Sequence, residues 1–161
     1  MKLHQINRKQ VFALPIEEVW DFFCAPTNLS KITPSYMGFR IRSELPEEMH
    51  AGMIIEYQVR PLGNIPLTWV TEITQLKKPY FFIDEQREGP YAFWHHQHHF
   101  KSVDAGTEVT DLVHYKLPMG ILGRILQHTF IKNQLNAIFN YRQEALTRLL
   151  SQNSLFQQVL P

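Results

Sequence analysis

Residues 4–14 mix polar and apolar side chains in an extended pattern, and the period then changes. Pro15 suits a first helical turn, and Glu17 and Glu18 favour the positive end of a helix. Val19, Phe22 and Phe23 fall on one face, so a helix is predicted there. A second short helix is predicted over residues 27–32, stopped by Thr33-Pro34. From residue 37 to 117 the signal is strand: 39–45, 53–62, 67–76, 80–87, 91–103 and 107–117. Of these, 53–62 alternates most cleanly, with Ile55, Tyr57 and Val59 on one face and Glu56, Gln58 and Arg60 on the other. Gly63-Asn64, Lys77-Lys78-Pro79, Gly89-Pro90 and Asp104-Ala105-Gly106 separate the segments, and such short connections imply an antiparallel meander.

From residue 120 to 150 the period is helical. Ile121, Ile131, Leu135, Ile138, Phe139, Leu146 and Leu149 share one arc, and about 30 residues span about 45 Å, enough to cross a small domain. The order predicts an α+β fold: an antiparallel sheet of about six or seven strands wrapped around a long C-terminal helix, with two short helices after the first strand. No repeat, linker or low-complexity stretch interrupts residues 1–161, so one domain is expected. The tail 151–161 carries Leu155, Phe156, Val159 and Leu160. It is expected to extend the helix, to pack in a subunit contact that makes a homodimer, or to fray.

Composition narrows the function classes. The chain is 44% hydrophobic, 19% charged and carries a net charge of +1. It lacks the clustered Lys and Arg of a nucleic-acid binder. No segment approaches the length of a membrane span and the polar N-terminus holds no signal-like apolar core, so a cytoplasmic location is expected. Cys24 is alone and is read as a small apolar residue at a helix end.

Several segments together resemble a known family: Asn28-Leu29 with Ile32-Thr33-Pro34; Gly89-Pro90-Tyr91; Trp94, His96, His98 and Phe100; Asp111, Val113 and Tyr115; Pro118-Met119-Gly120; and Phe139 with Tyr141-Arg142. The chain resembles the SRPBCC superfamily, the helix-grip proteins that include START lipid-transfer domains, birch-pollen allergens and aromatic polyketide cyclases, and within it a branch of small bacterial proteins. The resemblance implies the helix-grip fold and a central cavity for hydrophobic molecules. It supplies no catalytic signature.

Trp94-His95-His96-Gln97-His98-His99-Phe100 is the segment richest in chemistry. If Trp94 and Phe100 face the cavity, so do His96 and His98, while His95 and His99 face outward as solvated residues. A two-residue turn at Ala105-Gly106 would pair Asp104 with Thr107. It would set Phe100 opposite Asp111, His98 opposite Val113 and His96 opposite Tyr115, with Asp111 and Tyr115 inward. For residues 80–87 hydrophobicity leaves two faces open, Phe82, Asp84 and Gln86 or Phe81, Ile83 and Glu85; the resemblance favours the first, beside Trp94 and His96. Arg142 projects near the middle of the apolar helical arc with His128 on the same arc, so it must reach an edge or find an acceptor in Asp84, Asp111 or a ligand carboxylate.

The expected site is therefore a polar cluster of Asp84, Gln86, His96, His98, Asp111 and Arg142 within walls built from Tyr57, Trp69, Phe82, Trp94, Phe100 and Tyr115. The cluster has three open roles: a hydrogen-bond network that sets register, a seat for a ligand's polar group, or a catalytic set with His96, His98 and Asp111 as candidates. His95 and His99 lie about 13 Å apart on a strand and cannot share an ion; His96 and His98, at about 7 Å, can. Two clear ligands fall short of a zinc set, and neither metal nor cofactor is expected. Gly120-Ile121-Leu122-Gly123 is not a phosphate loop, and no Ser or Cys is marked as a nucleophile. The first expectation is a non-enzymatic binder of a small hydrophobic or amphipathic molecule such as a lipid, polyketide or isoprenoid. The alternatives are a cyclase- or hydrolase-type enzyme using a His/Asp pair as general base, and a protein-interaction module.

Overall fold

The alternation in the middle of the chain resolves into strands of one antiparallel sheet. They are β1 (His4–Phe12), β2 (Arg40–Ile41), β3 (Ile54–Val59), β4 (Leu67–Lys77), β5 (Phe81–Glu88), β6 (Phe93–Val103) and β7 (Gly106–Lys116). Their order across the sheet is β1-β7-β6-β5-β4-β3-β2. Helix α1 (Ile16–Cys24) follows β1, and helix α2 (Leu126–Gln157) lies against the sheet's inner face. The computed structural model describes residues 2–61, 65–118 and 126–157, without the side chains of 126–129 and 152–157. The helix-grip layout expected above is the fold. The expected helix start at 120, the 120–123 glycine segment, the His128 side chain and the tail's apolar side chains lie outside the described residues.

Three local differences from the expected elements have physical causes. The strand expected over 39–45 is regular only at Arg40 and Ile41: Arg42 N–H still donates to Glu56 O, but Ser43 Oγ takes the Glu56 N–H that a backbone carbonyl would accept. The segment 27–32 forms a 3-10 turn (Pro26–Ile32), in which Asn28 Nδ2 donates to Phe22 O and Thr33 Oγ1 donates to Leu29 O. Such local side-chain bonds compete with a regular helix. On α1 the buried face is Ile16, Val19, Trp20 and Phe23. Trp20, which the periodicity passed over, meets Phe100 and Phe82 edge-on at ring distances of 5.3 and 6.0 Å.

The β6–β7 hairpin corrects the predicted register. The turn is Asp104-Ala105, closed by Val103 opposite Gly106, so Phe100 pairs with Val109, His98 with Asp111, His96 with Val113 and Trp94 with Tyr115. The cause is Gly106. Its φ is +120°, and a Cβ there would collide with the Phe12 carbonyl oxygen and stand 2.9 Å from Ala13 Cα and Leu14 N. Only glycine lets the strand start that close to the β1–α1 connection. Thr107 is then fixed by donating its hydroxyl to Leu14 O at 2.8 Å. A slip of two residues keeps every side chain on its expected face and changes only its partner.

The inner face carries two apolar clusters. One holds Phe12, Trp20, Phe23, Ile55, Phe82, Phe100 and, from α2, Ala145, Leu146 and Leu150; the other holds Ile6, Trp94, Val113, Tyr115, Leu135 and Phe139. Between them each element contributes polar groups: His96 and His98 on β6, Asp111 on β7 and Arg142 on α2. The polar belt lies at the seam of the two clusters.

Candidate functional site

The seam borders a cavity of about 200 Å³ between sheet and helix. Of the residues expected at the site, Tyr57, Trp69, Phe82, Asp84, Trp94, His96, His98 and Arg142 line it. Four others do not. Phe100 packs in the first apolar cluster and Tyr115 in the second. Asp111 stands behind the histidines. Gln86 clamps the turn into β6, donating Nε2–H to Tyr91 O at 2.7 Å and accepting the Tyr91 N–H at 3.2 Å. That turn in turn places Tyr91 edge-on to Trp69 at the wall. Leu29, Met37, Phe39, Ile73, Leu135 and Phe139 complete much of the apolar lining and were not among the expected cavity walls, because core and cavity walls share one hydrophobic pattern.

Cross-strand pairing builds the cluster. Asp84 lies opposite His96, and Phe82 opposite His98. Asp84 Oδ2 is 3.0 Å from His98 Nε2 and 3.4 Å from His96 Nδ1. On the far side Asp111 Oδ1 is 2.6 Å from His98 Nδ1 and 3.4 Å from His96 Nε2. The 2.6 Å contact is off the line of a good hydrogen bond, so it is read as a charge contact. The two imidazoles are 3.8 Å apart between centroids, and Phe82 stacks on His98 at 4.2 Å. Arg142 Nε is 3.9 Å from Asp111 Oδ2, and its guanidinium lies 5.9 Å from the Phe23 ring centroid. Asp111 is thus a counter-charge for the helix cation, and Arg142 Nε makes no hydrogen bond among the described residues.

Burial and charge set opposite states on the two histidines. His96 is held below the usual imidazole value by desolvation and then by the neighbouring His98 charge. For His98 desolvation also opposes the proton, but Asp111 and Asp84 outweigh it and its value is raised. Burial pushes against ionisation of Asp111, yet Arg142 and the histidines hold its carboxyl well below the usual range. Asp84 is lowered in the same way, against its own desolvation, chiefly by His96 and His98. Two carboxylates face one guanidinium and two imidazoles, of which His98 holds its proton more tightly than His96. Elsewhere, burial and then Asp21 push the Cys24 thiol up to about 12, which makes it an inert packing residue.

These opposite shifts predict opposite pH behaviour in the metal-free protein. His98 holds its proton more tightly when folded, so its stabilisation is complete below about pH 6.5 and is lost as pH rises through its raised value. His96 holds its proton less tightly, so its contribution is complete above about pH 6.5 and is lost as pH falls through its lowered value. The stability gap between wild type and His98→Gln is therefore expected to narrow toward alkaline pH, and the gap to His96→Gln toward acid. Thermal melts from about pH 5 to about pH 9 check both slopes; parallel slopes would remove the assignment.

On the outer face, His95 and His99 are not simply solvated. Arg87 bridges Glu72 and Glu85, Glu85 meets His95 Nδ1 at 2.8 Å, and Gln97 links His95 to His99. This chain faces away from the cavity.

The family sequence pattern described as polyketide cyclase / dehydrase and lipid transport matches residues 12–139. The chain belongs to that family. No curated protein matches it in sequence. Among solved structures it is similar to the ZhuI aromatase/cyclase from Streptomyces sp. R1128, at 16% identity and a TM-score of 0.65 over 92% of this chain and 96% of that one. Protein CV1439 from Chromobacterium violaceum is similar at 16% identity and 0.64, over 91% and 96%. Ara h 8.0201 is similar at 11% identity and 0.57, over 91% and 99%. At these identities the likeness shows the helix-grip fold of the family and no more. No helix among the described residues is long and apolar enough to cross a membrane.

Proposed function

We propose that the chain binds one small hydrophobic or amphipathic molecule, of lipid, polyketide or isoprenoid type, in the central cavity without transforming it. The observation that carries the reading is a cavity whose walls are mostly aromatic and aliphatic and whose carboxylate, imidazole and guanidinium groups, Asp84, His96, His98 and Arg142, converge at one place. Apolar walls supply burial: roughly 200 Å² at about 25 cal/mol per Å² contributes about 5 kcal/mol before association costs. Asp84, on the cavity wall, offers a carboxylate oxygen to a hydroxyl on the ligand. At about 200 Å³ the cavity is smaller than most ligand pockets, so it fits one or two rings, or the end of a longer chain.

The matched family's description and the aromatase/cyclase name of one structural neighbour also support an enzymatic reading, in which His96 acts as base beside Asp84. Against it, neither Ser nor Cys is among the described cavity-lining residues, so no covalent nucleophile of those types faces the space.

Leu29 lies half-buried on the cavity wall. Leu29→Trp is expected to fill the space, weakening binding of the fluorescent amphipath 2-naphthol by about tenfold or more while changing stability by less than about 1 kcal/mol. Fluorescence titration reads the first and urea denaturation the second. Equal affinity in a folded variant places the probe elsewhere and removes the proposal.

A further inference from the structure

We infer that Asp84, His96 and His98 form a binding site for one divalent first-row transition ion, open on the cavity side. The inference goes beyond ligand binding and stands on the arrangement of the two imidazoles. Each turns one nitrogen to Asp84 Oδ2, at 3.0 Å from His98 Nε2 and 3.4 Å from His96 Nδ1. Each turns its other nitrogen to Asp111 Oδ1, at 2.6 and 3.4 Å. The three potential ligand atoms lie within 4.8 Å of one another. An ion about 2.0–2.2 Å from each requires ligand atoms about 3.4 Å apart in a tetrahedral site, so the widest pair closes by up to about 1 Å as the side chains turn onto the ion.

The surroundings match what a bound ion requires. A ligating histidine ordinarily gives its second N–H to a carboxylate that fixes tautomer and ring orientation. Asp111 stands in that position for both rings, and Arg142 reaches its other oxygen. His96 and His98 are 4% and 3% exposed, yet His96 Nε2, His98 Nδ1 and Asp111 Oδ1 make no well-formed hydrogen bond among the described residues. These atoms lie on the Asp111 side and face one another, away from the proposed ion. An ion on the Asp84 side orders both rings so that their remaining N–H groups serve Asp111.

The donor set also selects the ion. Two imidazole nitrogens and one carboxylate suit Zn²⁺, Fe²⁺ or Co²⁺, whereas Ca²⁺ and Mg²⁺ take oxygen ligands. With neutral imidazoles, Asp84 and Asp111 against Arg142 leave one net negative charge for the cation. Asp84, His96 and His98 all line the cavity and Asp111 does not. The positions that three protein ligands leave open therefore face the space a ligand oxygen would occupy.

The test uses the full chain made without a polyhistidine tag, stripped with a chelator and titrated with Co²⁺ alone. One ion per chain is expected, with a visible absorption band that Zn²⁺ displaces. Asp84→Asn is expected to weaken binding about 100-fold or more. His95→Gln and His99→Gln, on the outer face, are expected to leave it within about threefold. Circular dichroism checks folding, and His96→Gln replaces Asp84→Asn if the latter does not fold. No saturable site in wild type, affinity that survives the folded ligand variant, or loss in His95→Gln overturns the inference. 2-Naphthol binding to the stripped protein reads the cavity separately, so either reading can fail alone.

Discussion

Asp111→Asn is expected to lower the midpoint of thermal unfolding by about 10 °C, corresponding to about 3–5 kcal/mol. The wild-type carboxylate lies within 2.6 Å of His98, 3.4 Å of His96 and 3.9 Å of Arg142. Removing its charge leaves the Arg142 guanidinium and the proton-favouring His98 ring at a seam between two apolar clusters, each desolvated and without a counter-charge on that side. Breaking a buried pair costs far more than the pair contributes, because the abandoned charge keeps its desolvation penalty. Adding Arg142→Gln to Asp111→Asn is expected to recover at least about 1 kcal/mol, since the two positions couple through that penalty. Calorimetry or circular-dichroism melts of the two single variants and the double complete the cycle. A loss under about 1 kcal/mol for Asp111→Asn would mean that water or a rearranged Arg142 already screens the group.

Gly106→Ala is expected to cost about 3 kcal/mol or more and to lower the urea midpoint accordingly. Two causes add. At φ +120° an L-residue is strained, and the new Cβ would strike the Phe12 carbonyl oxygen, with Ala13 and Leu14 backbone atoms 2.9 Å away. The atoms it meets are backbone and cannot rotate aside. Relief requires moving β1 and α1 apart from the hairpin or sliding the β6–β7 register, and the slide would part His98 from Asp111. A variant within about 1 kcal/mol of wild type would show that the hairpin's register does not depend on this contact.

These two sites mark what the sequence could and could not convey. The face of every residue on β6 and β7 was legible, because period-two alternation survives a slip of two positions. The pairing was not. It is set by Gly106 pressing on Phe12 and by the Thr107 hydroxyl bonded to Leu14, partners 93 residues apart in the chain. The inward face of β5 was undecidable from hydropathy for a reason the structure makes plain: Phe82 and its neighbour Ile83 are both buried. Similarity to the helix-grip proteins picked the face that carries Asp84. The same alternation put Gln86 in the cluster, but the Gly89-Pro90 turn brings Tyr91 back over it and takes both its hydrogen bonds. Arg142 was recognisable as a cation in an apolar arc, while the acceptor it meets depended on the β7 register. Trp20 escaped notice because a short helix shows too few turns for its buried stripe to be centred.

The central claim is that the hollow between sheet and helix, floored by His96 and His98, is where a small amphipath sits. Native mass spectrometry of wild type and Leu29→Trp, each with saturating 2-naphthol, tests it most directly. One bound molecule per wild-type chain and none on the variant is the predicted pair of spectra. Equal occupancy of both proteins, or none on either, would contradict it.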